Sequence, residues 1–581
     1  MNKFRSRSMK KVLPALLLAF SLLLSAVPFM VNAETASGEA GDGGKYALTD
    51  TIQAEVKSIL NERTSGGTRL GVVVRLYNES SRIARIPDYE LRAGTSGDIV
   101  YTLRPSAANA VAIQPQEKVE LSYLVELDRS DEFMLTTLSW FDVDEFEYPK
   151  KENEVLKIPV DGLEWRGSQT LASSGEHAIS WGEPFQLPFL SRSLVFTPVQ
   201  ALQQASSQGP VLLVVLLAEN KSEMQEKLPD FRIDGNTEKK TYPGKRADKA
   251  PEKLEPGEKV YVTFSIPLEN NATKLKSLTL LTPETFVSPA KEVTTYTVGR
   301  LNIAIPPEKE APSIHKLAEY TLSQPIAIDP LFKLTADKVD ISMVELHMHS
   351  AEGEGYRTAI AKFKLLNRSD KPVFVPGFQA EIVTEGGFSY MGSRQLTAAQ
   401  TLLPNLGYII SYSFNLPNSE SGSKLAINLL DNQIAAPYNL PIASYRTKAQ
   451  PEAEEGPLYF YPFEVKLNDW YLGYSTLFGS GGLTYTYKLQ LNLDIARQDN
   501  IVVDENFSKM KIELVNKLGK TIAAQSLPFT GTDRLISGDQ VITFSGLKTD
   551  SYEFPLSIRF YESIATPFGE AKRLVRTLQQ R

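Results

Sequence analysis

The chain contains Val211-Leu-Leu-Val-Val-Leu-Leu217, then Asn220-Lys-Ser222, Pro229-Asp-Phe231 and Leu254-Glu-Pro-Gly-Glu-Lys-Val-Tyr-Val-Thr-Phe-Ser-Ile-Pro267. The first apolar run predicts a β-strand, and Asn220 and Ser222 predict the turn that ends it, because both side chains can bond nearby amides. Proline then opens the next strand, where a missing amide donor is tolerated. In the last stretch, apolar residues alternate with mainly polar ones, which predicts a sheet with one buried face.

The same spacing occurs in two further segments, so the chain contains an internal repeat. From the Asn to the first Pro is nine residues in every copy, and from the Asn to the aromatic is eleven. A second Pro follows the Asn by 37, 36 and 37 residues, and a last aromatic follows that Pro by eight. Agreement at so many positions indicates a repeated structural unit. The three sets are Asn78, Pro87, Tyr89, Pro115 and Tyr123; Asn220, Pro229, Phe231, Pro256 and Phe264; and Asn367, Pro376, Phe378, Pro404 and Tyr412.

Each copy also has a leading strand and a Gly- or Ser-rich turn before its Asn. A fourth copy starts near Phe463 and has the Gly479-Ser-Gly-Gly482 turn, but it lacks the Asn and Pro markers. Short strands with frequent turns predict an all-β fold of tandem immunoglobulin-like β-sandwich domains. The pattern alone leaves a jelly-roll topology open.

The repeat and the composition of the connecting segments predict the domain boundaries. Pro- and acid-rich stretches are interpreted as linkers, and the Gly-rich stretch after the N-terminal segment is interpreted as a flexible tether. The predicted organisation is a signal peptide (1–33), a tether (34–44), sandwich 1 (45–160), a connector (161–186), sandwich 2 (187–306), a linker (307–324), sandwich 3 (325–447), a linker (448–456) and sandwich 4, a degenerate copy (457–581).

The stretch from Leu254 to Pro267, with Asn220 and Phe231 upstream, resembles bacterial extracellular telokin-like or immunoglobulin-like domains. Such modules often have a turn Asn, an aromatic strand and a Pro-Gly-Glu turn before a Val-rich strand. The first and third copies keep Pro115 and Pro404 but lose the glycine. The resemblance implies extracellular binding or scaffolding and transfers no catalytic residue.

The N-terminal segment predicts export. Five basic residues begin it, an apolar run extends from Val12 to Leu24, and Val31-Asn32-Ala33 forms a cleavage pattern; a retained membrane anchor is the alternative. Removal of this segment would leave 57 basic and 69 acidic residues, a net charge of −12. That balance disfavours nucleic acid as a partner. We expect a secreted, extracellular or cell-surface protein without a membrane span after cleavage, whose partner is a cell-envelope protein or polysaccharide.

Glu345, His347 and His349 are the candidate metal ligands, because residues two apart on a strand share one face and imidazoles and a carboxylate can bind zinc. A polar outer strand face is the alternative interpretation.

Other polar clusters and the connector residues carry weaker hypotheses. Four acidic residues could bind calcium, but a solvated acidic strand edge explains them better. Two histidines lie in connectors without a partner pattern, and two tryptophans are interpreted as packing a connector onto a domain. The acidic residues are Asp142, Asp144, Glu145 and Glu147, the histidines are His177 and His315, and the tryptophans are Trp165 and Trp181.

Aromatic residues cluster near the C-terminus, and their rings could stack on sugars. Trp470, Tyr471 and Tyr474 are the candidate ligand-binding residues, although sandwich cores also require such rings. Carbohydrate binding predicts that Trp470 and Tyr474 are exposed in a shallow groove.

The sequence predicts a non-enzymatic protein that needs no cofactor. It has no cysteine, and it lacks a phosphate-binding glycine loop, a HExxH motif and a Gly-x-Ser-x-Gly motif. The leading hypothesis is an interaction or spacer module at the bacterial cell envelope, and carbohydrate binding is the alternative. A hydrolase would need a deep pocket with two convergent carboxylates.

Overall fold

A computed structural model describes residues 44–580 apart from 145–147, 149, 168–177, 188–189, 306–313, 333–337, 351–354, 397–398, 480–481 and 545–551. The predicted signal peptide, nearly all of the predicted tether, Glu145, Glu147 and His177 lie outside these residues. Strands dominate the described chain, and 3₁₀ turns occur at Ile314–Lys316 and Pro330–Phe332. The prediction of an all-β fold of tandem β-sandwiches is therefore confirmed. The part of the chain that the structure describes contains no helix with the length and hydropathy needed to cross a membrane.

The first two sandwiches contain strands β1 to β22. The first is built from β1 (Tyr46–Ala47), β2 (Ile52–Thr64), β3 (Gly67–Asn78), β4 (Ala84–Arg85), β5 (Glu90–Thr95), β6 (Val100–Pro105), β7 (Ala112–Ile113), β8 (Lys118–Leu127), β9 (Leu135–Asp144), β10 (Lys151–Pro159) and β11 (Glu164–Trp165). The second is built from β12 (Phe185–Leu187), β13 (Ser191–Ser206), β14 (Gly209–Asn220), β15 (Glu226–Lys227), β16 (Arg232–Asn236), β17 (Thr241–Tyr242), β18 (Lys245–Arg246), β19 (Lys253–Leu254), β20 (Lys259–Pro267), β21 (Ser277–Val287) and β22 (Val293–Ala304).

The other two sandwiches contain strands β23 to β41. The third is built from β23 (Val339–Ser350), β24 (Tyr356–Asn367), β25 (Val373–Phe374), β26 (Phe378–Thr384), β27 (Ser389–Met391), β28 (Ser393–Arg394), β29 (Thr401–Leu402), β30 (Gly407–Pro417), β31 (Leu425–Asp431) and β32 (Leu440–Thr447). The next segments are β33 (Leu458–Phe460), β34 (Phe463–Gly479), β35 (Gly482–Arg497), β36 (Ile501–Val502), β37 (Lys509–Val515), β38 (Thr521–Pro528), β39 (Gly538–Phe544), β40 (Ser557–Thr566) and β41 (Gly569–Gln579). Of these, β36 pairs with β30 of the third sandwich, and the others form the fourth.

The strand order identifies the topology that the sequence left open. In the second sandwich the sheets contain β13-β14-β20-β18 and β17-β16-β21-β22, and in the third they contain β23-β24-β30-β28 and β27-β26-β31-β32. In the second sandwich, strands A, B, C, C′, D, E, F and G are β13, β14, β16, β17, β18, β20, β21 and β22, and the third is lettered in the same way. The two sheets of each sandwich are then A-B-E-D and C′-C-F-G, which is the immunoglobulin order. The fourth sandwich has the sheets β34-β35-β39 and β38-β37-β40-β41. In the first, β6 pairs with both β5 and β8, which joins the two sheets.

The side chain of the repeated Asn is buried and hydrogen-bonds to backbone groups in the same way in each copy, an arrangement that we call the clamp. Asn220 is fully buried, and its Nδ2 donates to the carbonyls of Met224 (2.8 Å), Leu254 (2.9 Å) and Glu255 (3.2 Å). Its Oδ1 accepts from the backbone amide of Ser222 at 3.0 Å. The clamp therefore fixes the turn after strand B and ties it to the segment that leads into strand E. The corresponding bonds in the other copies are made by Asn78 and Asn367.

The second Pro of each copy begins a tight turn that requires a left-handed residue. Gly257, Gln116 and Asn405 follow these prolines with φ of 72°, 61° and 57°. In the second copy the turn closes with a bond from the Glu258 amide to the Glu255 carbonyl, at 2.9 Å. Proline followed by a residue with positive φ is the pattern of a type II turn.

Gly257→Val is expected to lower the free energy of unfolding by about 1–2 kcal/mol, because a side chain at positive φ is strained. Beyond its chain neighbours, no atom lies within 4 Å of the position that a Cβ would take, so the effect isolates backbone strain. Calorimetric unfolding of the variant measures it. Gly97→Val is the control, because Gly97 is also in open space but does not have a positive φ. Equal effects of the two changes would contradict the prediction.

The chain divides into two compact units, one within Met1–Gly167 and Glu284–Val298, the other within Ser168–Pro283 and Gly299–Arg581. The second unit holds most of the second sandwich and all of the third and fourth. The predicted domain boundaries remain predictions.

Part of the first predicted connector belongs to a sheet of the first unit. Trp165 is buried, and its strand β11 pairs in parallel with β2. The preceding residue, Glu164, accepts a hydrogen bond from Asn61 Nδ2 at 2.9 Å. This segment is therefore attached to the first sandwich, as the packing interpretation of Trp165 requires.

Candidate functional sites

Within the second unit, the second and third sandwiches are joined through apolar side chains. The sheet that contains strands A, B and E has an outer face, which points away from the core of its own sandwich. In the second sandwich this face includes Val211, Leu213 and Val215, which belong to the hydrophobic core of the third sandwich. The Tyr261 ring also lies 4.9 Å from the ring of Phe332. The two sandwiches therefore share a continuous apolar interior.

The third and fourth sandwiches are joined through the corresponding outer face, which here carries the predicted metal ligands. A bulge between Met343 and Glu345 shifts the register of β23 against β24. Glu345 and His347 are buried, and the His349 ring lies 6.1 Å from the Tyr561 ring of the fourth sandwich. The predicted residues do share one side of the strand, and that side faces the fourth sandwich.

Lys362 lies at the centre of this junction and is fully buried. Its Nζ is 3.1 Å from Glu345 Oε2 and 2.6 Å from Glu562 Oε1. It also donates to the carbonyl of Tyr461 at 3.2 Å. Because Glu562 comes from β40, this one ammonium group links both sandwiches.

Arg573 completes the charge cluster from β41. Its Nε donates to Glu562 Oε2 at 2.7 Å, and its Nη1 donates to Glu452 Oε1 at 2.7 Å. Its Nη2 donates to the Tyr459 carbonyl at 2.6 Å. The same Glu452 oxygen lies 3.0 Å from His347 Nδ1. Glu452 belongs to the predicted linker 448–456, so part of that linker is held in the junction.

The charged groups in this cluster shift one another's pKa values. Burial alone would raise the pKa of Glu562, but Lys362 and Arg573 outweigh it and hold that pKa at about 2. Burial would lower the pKa of Arg573, whereas the three carboxylates around it raise that pKa above its ordinary value. The cluster therefore holds ionised groups in a site that excludes water, which is stable only while each charge keeps its partners.

The cluster bears on the metal prediction. Lys362 Nζ and Arg573 Nη2 lie 3.1 and 3.7 Å from Glu345 Oε2, so cations of the protein already surround this carboxylate. Among the described residues, no group of three or more His, Cys, Asp or Glu is placed to hold a metal ion. Metal binding by Glu345, His347 and His349 stays a prediction without structural support.

Sequence reasoning missed four members of the cluster, which are Lys362, Glu452, Glu562 and Arg573. One signal was available, because Lys362 lies within the strand 360–366, which the sequence predicts to be mostly apolar. A charge at a buried position requires a partner. The partners come from the linker and from strands of another sandwich, so their identity needed the tertiary structure.

The structure separates the three predicted ligand-binding aromatics. Tyr471 is 63% exposed and pairs with Gln490 on the outer face of the fourth sandwich. Trp470 is half-buried against the core. Tyr474 is 52% exposed and lies towards the end of the hairpin, where its ring is 4.6 Å from the Tyr552 ring.

A groove runs beside Trp470 and Tyr471 along the edge of the fourth sandwich. Its volume is about 510 Å³, and it is lined by 469–472 and 577–580. Tyr474 does not line it. The groove therefore brings together only part of the predicted set.

The remaining candidates lie apart from these sites. Asp142 and Asp144 are exposed on β9, as expected for a solvated strand. His315 Nε2 lies 3.2 Å from Glu385 Oε1 at an exposed position. Trp181 packs partly against the core of the second sandwich.

The fold and its junctions define a tandem β-sandwich protein with immunoglobulin strand order. No protein-family model matches the chain, and no curated protein matches it. The solved structure of an uncharacterized β-sandwich protein from Clostridium difficile 630 is similar over 25% of this chain and 100% of its own length, with 10% sequence identity and a TM-score of 0.16. The fold assignment depends on the strand order alone.

Proposed function

We propose that this chain is a secreted, non-enzymatic interaction and spacer protein of the bacterial cell envelope. The observation that carries the proposal is the pair of buried junctions in the second unit. One shares an apolar core through Leu213, and the other buries Lys362 and Glu562 completely. Junctions of this kind hold neighbouring modules in fixed positions, which suits a protein that presents binding surfaces.

The non-enzymatic part of the proposal is supported by the state of the clustered carboxylates. Glu345, Glu452 and Glu562 come together, but Lys362 and Arg573 pair with them. A hydrolase needs one carboxyl group that can give up a proton and a second that can reach a substrate. Paired carboxylates in a closed junction serve stability instead.

The immunoglobulin strand order and the Leu254–Pro267 stretch support the finer assignment to telokin-like or immunoglobulin-like extracellular modules. The proposal of export is supported by the N-terminal pattern, in which basic residues, an apolar run and small residues at the cleavage position follow one another. Both assignments favour a partner outside the cell.

The test is retention of envelope components by the immobilised chain from residue 34 onward. We expect it to retain a component from cell-envelope fractions that it does not retain from cytosolic fractions of the same cells. Protease and polysaccharide-hydrolase treatment of the fraction then separates a protein partner from a glycan. The same chain after thermal unfolding is the control. Equal retention from both fractions, or release of cleaved envelope material, would contradict the proposal.

Carbohydrate binding through the C-terminal aromatics is the second candidate function. It is favoured by the exposure of Tyr471 and Tyr474, both of which are more than half exposed. Large rings are usually buried, and exposed ones can stack on the apolar face of a sugar. An array of neutral and anionic polysaccharides tests this function, and it fails if none binds the chain.

A further inference from the structure

In the fourth sandwich, β34, β35 and β39 take the places of strands A, B and E. The outer face of this sheet is covered in the second and third sandwiches but exposed in the fourth. At the centre of this face, Leu213 and Ser265 pair in the second sandwich, and Lys362 and Ser411 pair in the third. All four residues are fully buried.

The corresponding row of the fourth sandwich runs from Tyr471 to Gln490 and Val541. All three residues are exposed. The fold therefore presents, at its C-terminal sandwich, the same surface that it uses for contact in the two preceding sandwiches.

The chemistry of this face differs from that of the covered faces. Amides and carboxylates flank the row, and several of them bond to one another across the strands. Asn492 Nδ2 donates to Asp539 Oδ1 at 2.7 Å, and Asn468 Nδ2 donates to Asp494 Oδ2 at 2.9 Å. The face thus offers ordered polar groups that can donate to and accept from the hydroxyl groups of a sugar chain.

Gly473 determines how the Tyr471 ring lies on this face. A Cβ at position 473 would be 3.0 Å from Tyr471 Cε1, which is tighter than ordinary side-chain packing. The absence of a side chain at Gly473 lets the ring rest against the neighbouring backbone while its other side is exposed. A ring held in this way provides a platform for stacking.

We propose that the outer face of β34, β35 and β39 binds a neutral glycan, which stacks on Tyr471 and hydrogen-bonds to Gln490 and Asn492. This inference rests on the carbohydrate-binding function and assigns its site. The aspartates of this face outnumber its lysines, so an anionic polymer would be repelled. The aspartates are Asp469, Asp494 and Asp539, and the lysines are Lys466 and Lys488.

A second copy of the chain is the other occupant to consider, because the equivalent faces contact sandwiches. The covered faces use aliphatic side chains, as at Leu213, or paired ions, as at Lys362. On the fourth face, Val541 is an exposed aliphatic residue, but it is surrounded by polar groups that a protein partner would have to desolvate. The chemistry therefore favours a glycan.

The experiment measures binding of the chain from residue 34 onward to three soluble neutral polysaccharides, a β-glucan, a mannan and a galactan, by titration calorimetry. Tyr471→Ala is expected to weaken binding about tenfold, since it removes the stacking ring. Gly473→Val is expected to weaken it similarly by displacing that ring, and Tyr471→Phe should preserve it. Tyr474→Ala tests the other exposed ring of the predicted set. Phe568→Ala is the matched control and should change affinity less than about twofold, because Phe568 is an exposed ring in the turn between β40 and β41, on the other sheet. Circular dichroism checks that each variant is folded.

The possible outcomes distinguish an error in the proposed site from an error in the carbohydrate-binding function on which it rests. Loss of binding in Tyr474→Ala but not in Tyr471→Ala overturns the site and leaves carbohydrate binding intact. Binding of only the anionic members of the polysaccharide array has the same meaning. Failure of every polysaccharide to bind overturns both. Self-association of the chain that Tyr471→Ala abolishes, without glycan binding, assigns the face to a second copy and also overturns the proposal.

Discussion

Glu562→Gln is expected to lower the free energy of unfolding by about 3–5 kcal/mol, as found when one partner of a buried ion pair is removed. The change leaves Lys362 and Arg573 in a junction that excludes water, with one negative charge fewer. Both cations are fully buried and lie 2.6 and 2.7 Å from Glu562, so neither can recover the loss by hydration. Differential scanning calorimetry at neutral pH measures the effect, because a multidomain chain need not unfold in a single transition and a scan can resolve several.

Glu319→Gln is the control for this prediction. Glu319 pairs with Arg446 at 3.0 Å, but the two side chains are 63% and 37% exposed. An exposed pair contributes about 0–1 kcal/mol, because water solvates both charges in its absence. Similar losses in the two variants would show that burial of the cluster is unimportant.

The pH dependence of stability provides a second measurement on the same variant. The pKa of Glu562 is lowered to about 2 in the folded chain, from an ordinary value of 4.5. Its contribution is therefore fully present above that ordinary value and is lost as the pH falls towards the folded-state pKa. We expect the unfolding temperature of the unmodified chain to fall over this window more steeply than that of Glu562→Gln. Parallel profiles of unfolding temperature against pH for the two chains would contradict the assignment of this pH dependence to Glu562.

Asn220→Ala is expected to lower the free energy of unfolding by about 2–4 kcal/mol, because it leaves buried carbonyl groups without donors. The fully buried Asn220 amide group donates to three of them at distances of 2.8, 2.9 and 3.2 Å. The turn after strand B and the approach to strand E lose their connection at the same time. Calorimetric unfolding of the variant measures the loss.

Two comparisons make this second prediction specific. Asn367→Ala should produce a comparable loss, since Asn367 is equally buried and donates to the Lys371 and Leu402 carbonyls at 2.8 and 3.0 Å. Asn271→Ala, at an exposed position, should change stability by less than about 0.5 kcal/mol. If Asn220→Ala behaves like Asn271→Ala, the clamp does not stabilise the repeat.

Local patterns predicted most of the fold. The run Val211–Leu217 forms part of β14, and the alternating stretch through Phe264 forms β20. Strand patterns are readable because alternate side chains point to opposite faces of a sheet. The fourth sandwich was predicted from its strands and its Gly479-Ser-Gly-Gly482 turn, although its Asn and Pro markers are missing.

The candidate sites were less predictable. The sequence placed Glu345, His347 and His349 on one side of a strand, but their surroundings depend on charged residues from other strands. The three nearby aromatics were grouped by proximity in the chain, yet the strand register directs Tyr471 to one face and Trp470 to the other. Proximity along a strand does not imply a shared face, because neighbouring residues alternate.

The repeated, all-strand character of this protein is encoded locally, since alternation, turn residues and fixed spacing act within each copy and in the same way in every copy. Which sheet faces are covered and which remain open depends instead on how one sandwich packs on the next. That packing brings together charges and apolar groups that are far apart in the chain. It makes Lys362 a buried ion with partners and leaves Tyr471 an exposed ring, because the environment of a side chain is set by its neighbours in space.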